Sequence, residues 1–171
     1  KGLYGKLFPT RGKGVPVRVV KPDGETLAGQ FGYADIDKKE IIVSRDVMER
    51  SLNGFVQPRF RQKVGVREPD VMWLENRLED LAVHFAHELA HLEKPYPGDP
   101  LKSELYAWRV TVQAMRIINE KRYAVKVELI ERLINLVESK NLAGMGDIGR
   151  LAEDILLGRK GLAHLQDMTS Q

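Results

Sequence analysis

From Val71 to Leu92 the apolar residues recur every three or four positions: Val71, Leu74, Leu78, Leu81, Phe85, Leu89 and Leu92. That is the period of an α-helix with one buried stripe, and a strand cannot sustain it over such a run. Pro69-Asp70 opens the run and Lys94-Pro95-Tyr96-Pro97-Gly98-Asp99-Pro100 breaks it, so the spacing predicts one helix of about 24 residues. At 100° per residue, His87 and His91 fall roughly opposite the stripe, flanked by the small Ala86 and Ala90. One face of such a helix packs on a core while the other can form the floor of a cleft.

On that second face the sequence reads His87-Glu88-Leu89-Ala90-His91. Residues four apart on a helix have Cβ atoms about 6 Å apart, so both imidazoles can reach one Zn²⁺ at about 2.0–2.1 Å. Glu88, beside the first His, can address a water on that ion. The plain alternative is two solvated His on a helix surface. With no cysteine in the chain, any metal must be held by His and carboxylate.

A catalytic zinc takes three protein ligands and keeps one position open. The HExxHxxGxxH pattern fails, because Lys94 and Pro97 stand at its Gly and final-His positions. His164 remains a candidate but sits in a tail without pattern. Glu104 is the better choice: it lies in the first turns of the next predicted helix, about 40° from Trp108 and on the core side. A carboxylate there is costly to bury unless a cation meets it. Glu93 points the wrong way, and Asp99 reads as a helix cap. His84, one turn before His87, lies about 10 Å along the axis from His91 and reads as a neighbour rather than a ligand.

The rest of the chain predicts an α+β protein. Residues 1–14, rich in Gly and Lys, form a loosely held basic arm. Val15–Val20, Leu27–Ile36 and Ile41–Val43 read as three strands of a small antiparallel meander, turned at Pro22-Asp23-Gly24 and at residues 37–40. Ser44 caps a short helix over 46–52, and 55–68 is a basic connector. Asp99-Pro100 starts a helix to about Asn119 with Leu101, Leu105, Trp108, Val112 and Met115 inward. Another runs from about Arg122 to Lys140 with Val125, Leu129, Leu133 and Leu136 inward. Residues 141–146 read as a loop and 147–157 as a last short helix. The expected division is the arm (1–14), a core (15–120) and a helical extension (121–171) within the same compact domain.

The net charge of +3 is small but uneven. Lys1, Lys6, Arg11, Lys13, Arg18 and Lys21 form one basic stretch, and Arg59, Arg61, Lys63 and Arg67 another. Such clusters attract phosphate or acidic peptide, though solvated faces are commoner, so nucleic acid is not the favoured partner. No apolar run is long enough to span a membrane. No signal-peptide pattern begins at Lys1, which gives a cytoplasmic expectation, with secretion left open for a trimmed N-terminus.

His87-Glu88-Leu89-Ala90-His91, followed after the Pro/Gly break by Ser103-Glu104-Leu105-Tyr106-Ala107-Trp108, resembles the gluzincin metallopeptidases. It is most similar to their small minigluzincin-like and ImmA/IrrE-like members, which are compact and intracellular. The resemblance covers about residues 15–120, and Glu93 departs from the apolar residue usual there. It implies a small N-terminal sheet packed on a zincin-like helical core. It further implies one catalytic Zn²⁺ on His87, His91 and Glu104, Glu88 as general base, and a peptide or protein substrate. An extended substrate is expected to add to a sheet edge, with Ile41-Ile42-Val43 as the edge strand. Tyr96, Tyr106, His84 and Arg109 are the candidates for stabilising the oxyanion. The rival reading is a DNA-associated or regulatory binding protein whose zinc site is structural or vestigial. A third is a latent peptidase with Asp167 or His164 of the tail in the open metal position.

Overall fold

The computed structural model describes residues 3–8, 14–20, 32–45, 71–139 and 142–160. In chain order the elements are α1 (Leu3–Leu7), β1 (Val17–Val20), β2 (Gly32–Asp35), β3 (Glu40–Ser44), α2 (Val71–Glu93), α3 (Pro100–Glu138) and α4 (Leu142–Leu156). The α+β class and the N-terminal sheet agree with expectation. The helix expected over 46–52 and the connector 55–68 lie outside the described residues, as does the tail with His164 and Asp167.

The sheet is mixed rather than an antiparallel meander. β3 lies in the centre, parallel to β1 (Val17 opposite Ile41) and antiparallel to β2 (Tyr33 opposite Ile42). Parallel pairing needs a connection of a dozen or more residues, and β1 and β3 are separated by nineteen residues of chain (21–39). β3 is therefore not an edge strand. A Cβ on Gly32 would come within 2.4 Å of the Ile42 carbonyl oxygen, so only glycine lets β2 lie this close to β3.

α2 packs on two sides. Phe85, Leu89 and Leu92 from the expected stripe meet Ile41, Val43 and Ala34 of the sheet. A second side, Ala86 and Ala90, meets Ala107, Val110 and Ala114 of α3, where small residues let the two helices approach closely. Leu78, assigned to the stripe, is 52% exposed. The reason is length: 23 residues of helix span about 35 Å, while a five-residue strand covers about 17 Å. The sheet reaches only the C-terminal half of α2.

Gly98, at φ +79°, turns the chain between α2 and α3. Asp99 then caps α3, its side chain accepting the Lys102 N–H at 3.0 Å behind Pro100 at the helix start. Asn119 interrupts α3 at φ −161° and ψ 84°. Its side chain accepts the Arg122 N–H and donates to Glu79 of α2, both at 3.3 Å. Arg122 reaches Glu79 and Asp80 at 2.9 Å each, and the Tyr123 hydroxyl donates to Asp80 at 2.8 Å. The kink is thus a fresh N-cap inside one helix, braced against α2.

Beyond the kink the buried residues include Tyr123, Val127, Ile130, Ile134 and Val137, spaced four and three apart in turn. Val125, expected inward, is 80% exposed. This arm packs on α4 through Ala152, Ile155 and Leu156. Residues 142–146, expected as a loop, belong to α4. Two glycines there cost about 1 kcal/mol each in helix propensity, which the apolar burial further along α4 outweighs. The Trp108 indole N–H donates to the Leu156 carbonyl at 2.9 Å, satisfying an acceptor that a helix end otherwise leaves open.

The segment expected as a loose arm contains α1, and Phe8 behind it is 4% exposed among Ala86, Ala90 and Ala107. Leu7 and Phe8 thus belong to the core. Among the described residues, no helix is long and apolar enough to cross a membrane.

Candidate metal centre

Three side chains from two neighbouring helices converge. α2 presents His87 and His91 one turn apart, and α3 brings Glu104 over them within its first two turns. The two Nε2 atoms are 3.4 Å apart. His87 Nε2 lies 3.3 Å from Glu104 Oε2, and His91 Nε2 lies 3.5 Å from Glu104 Oε1. Ligands about 2.0–2.2 Å from a tetrahedral ion stand about 3.3–3.5 Å from one another. The Nε2–Nε2 separation falls in that interval, each imidazole has one Glu104 oxygen within 3.5 Å, and one ligand atom from each residue lies within 4.8 Å of the others, so the group can bind a metal ion; among the described residues it is the only cluster of its kind.

The far sides of both rings are held. His87 Nδ1 lies 3.0 Å from Thr111 Oγ1, whose own proton goes to the Ala107 carbonyl at 2.8 Å. A hydroxyl has one proton to give, so Thr111 must accept here, and Nδ1 of His87 must carry the hydrogen. That tautomer leaves the Nε2 lone pair facing Glu104. His91 Nδ1 lies 2.9 Å from Ser103 Oγ, the residue just before Glu104. Trp108 stands edge-on to His87 with ring centroids 4.9 Å apart. Such support orients ligands and raises their basicity.

A cleft of about 950 Å³ opens over the cluster. β2 forms one rim through Gly32, Tyr33 and Ala34, and the end of α4 forms part of the wall at Leu156–Gly158. Glu88 lies in the cleft between the histidines and β2. Burial pushes its carboxyl up to about 6; nearby His87 pulls it down, Glu104 pushes it up, and the Ala34 amide lowers it by hydrogen bonding. A carboxyl poised there can take up and release a proton near neutrality. Burial lowers the pKa of the His91 imidazole, against the pull of Glu104, and favours the neutral ring that a metal needs.

The structure thus brings together His87, His91 and Glu104, with Glu88 beside them. Asp99 is a cap, as expected, and Glu93 stands outside the cluster. Of the oxyanion candidates only His84 lines the cleft. Burial, followed by the nearby Lys126 and His87, lowers its pKa. Tyr96 and Tyr106 pair with each other at 6.2 Å beneath Lys94, and Arg109 pairs with Glu138. Sequence reasoning missed Thr111, Ser103 and the contact of Trp108 with His87. The available signal was a hydroxyl seven residues, or two helical turns, after Glu104. Comparison with protein-family models, curated proteins and solved structures finds no match to this chain.

Proposed function

We propose that the protein is a zinc-dependent metallopeptidase in which His87, His91 and Glu104 hold the metal and Glu88 is the general base. The observation that carries this reading is the convergence of His87, His91 and Glu104, one ligand atom of each within 4.8 Å of the others, with Glu88 lining the same cleft. Two nitrogens and one carboxylate suit zinc better than magnesium or calcium, which favour all-oxygen shells. When bound, zinc supplies a Lewis acid that lowers the pKa of a water towards about 7 and polarises a carbonyl.

Glu88 accepts the proton of the attacking water and returns it to the leaving amine, a task its raised pKa suits. Thr111 and Ser103 keep both imidazoles aimed. A peptide in extended form lies along β2, which among the described residues pairs only with β3 and borders the cleft. This assigns the substrate edge to β2 in place of the central β3.

The DNA-associated reading gains no support of its own, since Arg59, Arg61, Lys63 and Arg67 lie outside the described residues. The test is zinc content of purified wild type beside Glu104→Ala, with peptide hydrolysis compared between wild type and Glu88→Gln. The expected result is about one zinc per wild-type chain, loss of zinc in Glu104→Ala, and zinc retained without hydrolysis in Glu88→Gln. Equal zinc in wild type and Glu104→Ala removes Glu104 from the site, and hydrolysis by Glu88→Gln ends the peptidase mechanism.

A further inference from the structure

The cleft is not electrostatically uniform. At the metal end its carboxylates are Glu88 and Glu104. One turn earlier on α2, about 4.5 Å along the axis from His87, the cleft is lined by His84, and Lys126 of α3 beyond the kink lines it too, near enough to His84 to act on its charge.

Asp80 also lines this end, yet both of its oxygens are engaged: Oδ2 by Arg122 at 2.9 Å and Oδ1 by the Tyr123 hydroxyl at 2.8 Å. Glu79 is likewise taken up by Arg122 and Asn119. Among the described residues Lys126 makes no ion pair, although Asp80 of α2 lines the same cleft. A cleft that spends its nearby acids on a helix brace leaves a cationic end beside a metal cluster.

We propose that Lys126, with His84 beside it, forms a carboxylate-binding subsite of the cleft, so that the preferred substrates are acidic peptides. The proposal rests on the peptidase reading and adds the substrate class. An extended peptide advances about 3.3 Å per residue, so a carboxylate held beside His84, about 4.5 Å along α2 from His87, falls one or two residues from the bond over the metal. Lys126 is exposed, and a solvated ion pair of this kind is worth a few-fold rather than orders of magnitude.

The experiment uses the full chain loaded with zinc and three sets of fluorogenic peptides, identical except for Glu, Gln or Lys at each of two positions on either side of the cleaved bond. For wild type the ratio of kcat/KM for Glu over Gln is expected to be about 2- to 5-fold at one position, with Lys below Gln. Lys126→Glu reverses the order to Lys above Gln above Glu, and 0.5 M salt flattens both. Hydrolysis with the same order in wild type and Lys126→Glu overturns the subsite while leaving the peptidase intact.

Binding of the same peptides, read by fluorescence anisotropy on zinc-loaded protein, separates the two ideas. A Glu preference in binding that Lys126→Glu reverses, without any hydrolysis, upholds the subsite and overturns the peptidase. Equal binding of all three peptides by both proteins overturns the subsite.

Discussion

Replacing Glu88 by glutamine should move the stability of the metal-free protein, relative to wild type, increasingly in favour of the variant as pH rises. In the fold the Glu88 carboxyl is pushed from its usual 4.5 up to about 6, chiefly by burial. A folded pKa above the unfolded one means that its contribution to stability is fully present below about pH 4.5 and is lost as pH rises through about 6. Between 4.5 and about 6, at 1.36 kcal/mol for each tenfold change in proton affinity, the charged carboxylate costs at most about 2 kcal/mol near pH 8. The glutamine side chain carries no charge at either pH. The stability of the variant minus that of wild type should therefore grow by up to about 2 kcal/mol between about pH 4 and pH 8. Fixed effects of the swap, such as an altered bond with the Ala34 amide to the neutral side chain, enter at both pH values and cancel. Urea unfolding of chelator-treated protein at the two pH values measures the gap directly. A gap that stays constant would refute the reasoning, because it would place Glu88 in a water-like setting and remove the cause given for its poise as a base.

Two further substitutions test the supports of the site. Thr111→Val keeps the shape but removes the acceptor for His87 Nδ1, and zinc affinity should fall about 10- to 100-fold in chelator competition; unchanged affinity would show that Thr111 does not set the tautomer. Phe8→Ala should cost about 3–5 kcal/mol in urea unfolding, since the ring is buried among the alanines that join α2 to α3; a loss below about 1 kcal/mol would return the N-terminal segment to the status of an appendage.

The ligand set is legible in the sequence because its information is local. His87 and His91 share one turn, the Pro/Gly break is written in seven consecutive residues, and Glu104 follows the Asp99 cap by little more than a turn. Topology is not legible in that way. Short β-branched runs look alike in parallel and antiparallel sheets, so nothing in Val15–Val20 or Ile41–Val43 announces that they pair in parallel. Val125 reads as inward because two apolar registers overlap in that arm, and only packing against α4 selects the one through Val127 and Ile130. Gly144 and Gly146 suggest a loop because propensity is a weak local preference that tertiary burial overrides. Thr111 stays invisible for a different reason: its partner is 24 residues away, across an interface between helices.

The closeness of His91 and Glu104 along the chain also bears on the order in which the molecule forms. Residues 92–103 alone separate the two ligands, whereas β1 must find β3 across residues 21–39. Short-range helical contacts form faster than long-range ones, so the α2–α3 hairpin precedes the parallel β1–β3 pairing and the docking of the sheet on α2 during refolding. A metal can then be captured by a pair of helices before β2 has closed one rim of the cleft. Stopped-flow refolding in the presence of a zinc-sensitive dye should show metal uptake ahead of the sheet signal; uptake that waits for the sheet would mean that the finished cleft, and not the hairpin, creates the affinity.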